Sequence, residues 1–146
     1  MHWITRRKIE LWIDEKTWNG YTYFNPIECN EFIQNDCQVD ETEVFDYFFR
    51  LVIEGQLKAK AVLSCSHEGN ELTQPSILYE KESSLQDGNV IIDIKDIIDQ
   101  TVSCVECDHK LIANGSNIDL YFVPTQEYKE ILKKERSVPR KKLILS

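Results

Sequence analysis

Glycine and histidine are scarce in this chain: five and three among 146 residues. No glycine-rich loop is available to cradle a phosphate group, and no nucleophile elbow, H-E-x-x-H pair or D-x-D pair occurs. Long apolar runs are also missing. Nothing approaches the ~20 residues that cross a bilayer, and no apolar segment follows the early Arg6-Arg7-Lys8 cluster as a secretion signal requires. Basic residues are few, 17 against 25 acidic ones, for a net charge of -8. Such a surface repels phosphate backbones, so DNA is not the expected partner. These absences predict a cytoplasmic protein that is not an enzyme, touches no membrane and has no small-molecule substrate.

The composition is otherwise that of a folded domain, with 42% hydrophobic and 10% aromatic residues. Five cysteines (Cys29, Cys37, Cys65, Cys104 and Cys107) are an odd number in a chain without a secretion signal. Free thiols or a metal site are therefore expected in place of disulfides. Cys29 and Cys37 have no neighbouring histidine and read as small core hydrophobes, and His2 and His109 have no sequence partner.

Several elements announce themselves through their ends. The first apolar residues, Trp3 to Ile13, fit neither helix nor strand cleanly. Asn25-Pro26-Ile27-Glu28 carries a capping side chain, a proline at the first helical position and a glutamate that can reach back, so a short helix to about Gln34 is expected. Asp40 opens a second helix, along which Val44, Phe45, Phe48, Leu51 and Val52 recur at helical spacing until Gly55 ends it. Leu57 to Cys65 alternates as a half-buried strand does.

Beyond the strand, Ser66 to Gly88 reads as a linker or long loop with a short strand at Ile77 to Tyr79. Asn89 to Ile92 suggests a brief strand, and Ile94, Ile97 and Ile98 an amphipathic helix with Asp93, Asp96 and Asp99 on its wet side. Lys110 to Ala113 and Asn117 to Val123 flank Asn114-Gly115, the dipeptide of a tight hairpin. Thr125 can cap a last helix from about Gln126 to Arg136, with Tyr128, Ile131 and Leu132 turned inward. Residues 137–146 form a basic tail containing Arg140, Lys141 and Lys142, with Leu143, Ile144 and Leu145 available for an edge strand or a partner.

The order helix, turn, helix, strand over Asn25 to Cys65 resembles a winged-helix module. That resemblance implies that the second helix takes the recognition position, yet Glu41, Glu43, Asp46 and Glu54 surround the single Arg50 there. A face of that charge suits protein contacts better than a DNA groove.

Cys104-Val105-Glu106-Cys107 is a C-x-x-C pair, and Cys65-Ser66-His67-Glu68 offers the only companion turn. Together they resemble a zinc ribbon whose first knuckle is altered, Glu68 standing where the second cysteine of a regular knuckle would be. The resemblance implies one structural zinc held by Cys65, His67, Cys104 and Cys107, with Glu68 as the alternative to His67. A ribbon that keeps its shape without metal, or unrelated buried thiols, also fits these residues. A redox role for the pair is not expected, because no βαβ pattern precedes it and Glu106 opposes thiolate formation.

The expected fold class is α+β: a winged-helix-like lobe over 1–65, a linker over 66–88, a ribbon-like hairpin lobe with a C-terminal helix over 89–136, and the basic tail. The combination resembles small adaptors of bacterial conflict and antiviral defence operons, which implies a hetero-complex with another protein. Trp3, Trp12, Trp18, Tyr21 and Tyr23 are the candidate contact residues. An acidic immunity protein that neutralises a cationic toxin is the alternative, and a DNA-binding transcription regulator the second.

Overall fold

The structure, a computed structural model, describes residues 1–34, 39–67 and 74–137. Cys37, Glu68 and the tail beyond Ser137 lie outside the described residues. The chain is α+β and divides into two compact units, Met1–Lys58 with Phe122–Ser146, and Ala59–Tyr121. No helix among the described residues is long and apolar enough to cross a membrane.

The first unit is helical. Its opening segment, ambiguous by spacing alone, is helix α1 (Trp3–Trp18), and Thr5, Ile9, Trp12 and Ile13 form its buried stripe. Exposed Trp3, Ile4 and Leu11 lie off that stripe, which is why the apolar pattern blurs. Helix α2 (Pro26–Ile33) begins as its cap predicts, with the Asn25 side chain accepting from the Ile27 amide at 2.9 Å. Helix α3 (Glu41–Ile53) starts at Asp40, whose carboxylate accepts from the Thr42 amide. It buries Val44, Phe48, Leu51 and Val52.

Gly55 terminates α3 at φ +84°, and the Gly55 and Gln56 amides donate to Val52 and Leu51 carbonyls. An added Cβ at Gly55 meets nothing within 4 Å. Gly55→Ala therefore isolates backbone strain, and we expect a loss of about 1 kcal/mol in urea denaturation, within the cost of placing a side chain in the left-handed region. A neutral substitution would mean that the turn relaxes.

Strand β7 (Ile118–Pro124) returns the chain to this unit, where Phe24 and Phe122 exchange backbone hydrogen bonds. The Phe122 ring meets Phe48 and Phe49 edge to face, each at 5.2 Å between centroids. Helix α4 (Gln126–Ser137) follows, its Tyr128 amide donating to the Thr125 hydroxyl oxygen. By contact α4 belongs with the N-terminal helices, not with the hairpins that precede it in sequence. Thr125 donates to the Gly55 carbonyl at 2.8 Å, Tyr128 to Asp14, and Arg136 to Glu15 at 2.5 Å. Leu132 is buried, whereas Ile131, expected to turn inward, is 49% exposed.

The second unit is built of antiparallel strands. Strand β1 (Leu57–Cys65), which the chain follows out of the first unit, pairs with β2 (Ser76–Glu82), and the sheet order is β2-β1-β7. The stretch 66–88, read from sequence as a linker, thus contributes β2 and also β3 (Ser84–Gln86), which pairs with β4 (Asn89–Ile91). Its polar residues suit strands with one exposed face, and Lys60 of β1 holds Glu80 at 2.6 Å and Glu82 at 3.5 Å across the β1–β2 pair. Leu63, Ile97 and Ala113 form a buried cluster in this unit, with Leu78, Tyr79, Ile94, Val102, Leu111 and Ile118 packed around them, and Ala59, Ala61 and Val62 are buried as well.

Two expectations for this unit are corrected. The isoleucine run around Asp93, Asp96 and Asp99 is a set of turns and not a helix. Asp93 accepts from the Lys95 amide at 3.0 Å and Asp99 takes φ +65°, so local turn chemistry overrides the apolar spacing. Asn114-Gly115 does not make the expected hairpin either. Neither residue has positive φ, which a two-residue hairpin turn of this sequence needs. The Asn114 side chain instead accepts from the Ser116 backbone amide, and the Asn114 backbone amide donates to the Asn117 side-chain oxygen. Strand β6 (Lys110–Ile112) consequently pairs backward with β5 (Thr101–Ser103), while β7 joins β1.

Candidate metal centre

The β5–β6 hairpin places the C-x-x-C pair at its tip, since Cys104 directly follows β5 and His109 directly precedes β6. The loop is closed by its backbone. The Cys104 amide donates to the His109 carbonyl and the Asp108 amide to the Cys104 carbonyl, both at 2.8 Å. Asp108 adopts φ +59°, turning the chain immediately after Cys107. This hairpin was missed in the sequence because its strands are short. The β-branched pair Thr101-Val102 ahead of Cys104 was the available signal.

The other half of the centre comes from the ends of β1 and β2. Alternation along β1 buries Leu63 and Cys65 on one face. The pairing shifts by one residue at Leu78, so that Leu63 faces Tyr79, Ser64 faces Ile77 and Cys65 faces Ser76. A bulge of this kind re-aims the side chains beyond it. His67 then turns through φ +58°, an uncommon conformation for a non-glycine residue, and is only 2% exposed.

These turns bring all four expected residues together. One ligand atom from each of Cys65, His67, Cys104 and Cys107 lies within 4.8 Å of every other. The Cys65 and Cys107 sulfurs are 3.4 Å apart, and His67 Nδ1 is 3.7 Å from the Cys104 sulfur. Tetrahedral zinc, with bonds of about 2.3 Å to sulfur and 2.0 Å to nitrogen, sets ligand atoms about 3.5–3.8 Å apart. Those two separations are close to that range, and three thiols with one imidazole are donors suited to zinc. Glu68, the alternative ligand, lies outside the described residues.

Electrostatics distinguishes the thiols. Burial favours the neutral form of Cys104, but the Cys107 and Glu106 amides and the thiols of Cys107 and Cys65 outweigh it and hold this thiol below its usual range. The His109 amide favours a thiolate at Cys107, yet desolvation and the neighbouring Cys65 and Cys104 groups push it up to about 11. A bound cation would favour the thiolates of both. Cys29 stands apart, fully buried in the first unit, and burial alone pushes its thiol up to about 12, as expected of a core cysteine.

The remaining ring nitrogen of His67 is also engaged. Nε2 lies 3.0 Å from the Ser76 hydroxyl and 3.2 Å from Glu106 Oε2, while Ser76 donates to the same Glu106 oxygen at 2.5 Å. Sequence reasoning gave Glu106 only an effect on the flanking thiols and no contact with His67. It sits between the two cysteines, and nothing in the spacing reveals that it faces His67.

The candidate contact residues separate by exposure. Trp3 (63%), Tyr23 (53%), Trp18 (48%) and Tyr21 (44%) are exposed, whereas Trp12 is 6% exposed and packs edge to face on Phe24 at 5.8 Å. Trp12 is thereby a core residue. Phe32, 61% exposed on α2, was not anticipated. The first unit also contains an open groove of about 390 Å³ lined by Glu10, Asp14, Glu54, Glu127 and Glu135, with Tyr128, Ile131 and Leu132. Comparison with protein-family models, curated proteins and solved structures finds no match to the chain.

Proposed function

We propose that this protein is a non-catalytic binding module of the cytoplasm that joins another protein in a hetero-complex, with its second unit fastened by one structural zinc ion. The observation that carries the reading is the convergence of Cys65, His67, Cys104 and Cys107 within 4.8 Å. Four side-chain donors fill a tetrahedral ion and leave no position for water or substrate, which is the signature of a structural site. Three cysteine ligands suit a reducing compartment.

The partner-binding part of the proposal rests on the first unit, winged-helix-like in element order, with its exposed Trp3, Phe32 and Tyr23. Glu41, Glu43, Asp46 and Glu54 on and just after α3 are all exposed, a charge pattern that favours protein over DNA. A role as an adaptor in a bacterial defence system is consistent with these features.

The test is the metal content of purified protein by mass spectrometry beside a Cys104→Ser variant. Zinc near one per chain in the parent and lost in the variant supports the clamp; no zinc in the parent refutes it. For the partner, Trp3→Ala with Phe32→Ala should abolish specific capture while leaving the melting curve unchanged. Retention of the same partner by that variant would place the contact elsewhere.

The acidic groove favours a second reading, cover for a cationic toxin. Association through those carboxylates should slow by at least tenfold as salt rises from about 0.05 to 0.5 M, a response that an apolar contact lacks.

A further inference from the structure

We infer that His67 holds the metal through Nδ1, and that Glu106, with Ser76, is the positioning pair that fixes its ring from the Nε2 side. The inference rests on the zinc reading above and goes beyond it by assigning the ring orientation and a role to a residue inside the C-x-x-C loop. Nδ1 lies 3.7 Å from the Cys104 sulfur. Nε2 points the other way, to Ser76 at 3.0 Å and Glu106 at 3.2 Å.

A neutral imidazole has one proton, and the nitrogen without it is the one that can bind a metal. A carboxylate is an acceptor only, so the Glu106 oxygen at Nε2 fixes the proton there and leaves Nδ1 free. Ser76 completes the arrangement. Its hydroxyl donates to the same Glu106 oxygen at 2.5 Å, which holds that carboxylate against the His67 edge although Glu106 is half exposed. Ligand histidines commonly hand their second N–H to such a carboxylate, and removing it costs about 10–100-fold in metal affinity.

The same contact accounts for the altered first knuckle. A C-x-H pair one residue apart presents its imidazole differently from a second cysteine, and the φ +58° turn at His67 brings Nδ1 rather than Nε2 toward the thiols. Both ring nitrogens are then used by residues of opposite hairpin tips: Cys104 and Glu106 from the β5–β6 loop, and Ser76 from β2. His67 thereby ties the two tips together even before a metal adds its own bonds.

The experiment combines long-range 1H–15N NMR of the zinc-loaded protein with zinc competition against a chromophoric chelator. We expect His67 to show a protonated Nε2 and a metal-bound Nδ1. Glu106→Ala should bind zinc at least tenfold more weakly at unchanged stoichiometry, with Glu106→Gln, which keeps an acceptor, falling between. An Nε2-bound ring, or Glu106→Ala with the parent's affinity, overturns this inference and leaves the zinc clamp standing. A parent that takes up no zinc overturns both.

Discussion

If the proposed zinc fastens the second unit, a strong chelator is expected to accelerate amide exchange at Cys104, Asp108 and Ala113 about a thousandfold, equivalent to about 4 kcal/mol, while Phe24 and Phe122 stay protected. The first three amides belong to the second unit and donate to the carbonyls of His109, Cys104 and Gln100; the last two bond to each other's residues in the first. The asymmetry follows from how each unit is held. The first buries large side chains such as Phe24, Phe48, Phe122 and Ile13 almost completely. The second buries Leu63 and Ile97 beside smaller side chains, Ala59, Ala61, Val62 and Ala113, and a core of such small residues gains most from a staple. Hydrogen exchange read by mass spectrometry decides the matter. Uniform loss of protection across both units, or no response in either, would show that the metal centre is not what holds the second unit together.

Phe122→Ala should cost about 4 kcal/mol and lower the melting temperature by on the order of 10 °C. The ring is fully buried, and its two edge-to-face contacts with Phe48 and Phe49 add to the apolar area lost. Its backbone bonds to Phe24 survive the substitution, so the loss reports on packing. A calorimetric or urea measurement giving less than about 1 kcal/mol would mean that the neighbouring rings close the space.

Elements with local chemical signatures are legible in the sequence. Asn25, Asp40 and Thr125 cap their helices as their side chains dictate, Gly55 stops α3, and β1 spans Leu57 to Cys65 as its alternation indicates. Where partners decide, the sequence misled. Trp3 and Leu11 are as apolar as Ile9 and Ile13 but remain exposed, so α1 had no clean period. Asn114-Gly115 promised a hairpin, yet β6 found β5 and β7 found β1, choices made by long-range pairing. The assignment of α4 to the N-terminal helices depends on Tyr128 meeting Asp14 and Arg136 meeting Glu15, contacts between residues far apart in the chain.

The candidate metal centre divides in the same way. Cys65, His67, Cys104 and Cys107, which the resemblance to a zinc ribbon implied with Glu68 as the alternative to His67, do cluster. The environment of His67 is not legible in the sequence. Its contacts with Ser76 and Glu106 require the bulge at Leu78 and the turn at Asp108, neither of which leaves a pattern in the residues themselves.

The first unit is discontinuous: its residues up to Lys58 must await Phe122 and Leu132, which arrive only after all of Ala59–Tyr121 has left the ribosome. During translation the aromatic nucleus therefore lacks one of its rings until late, and the inserted segment is free to bring Cys65, His67, Cys104 and Cys107 together before its host can close.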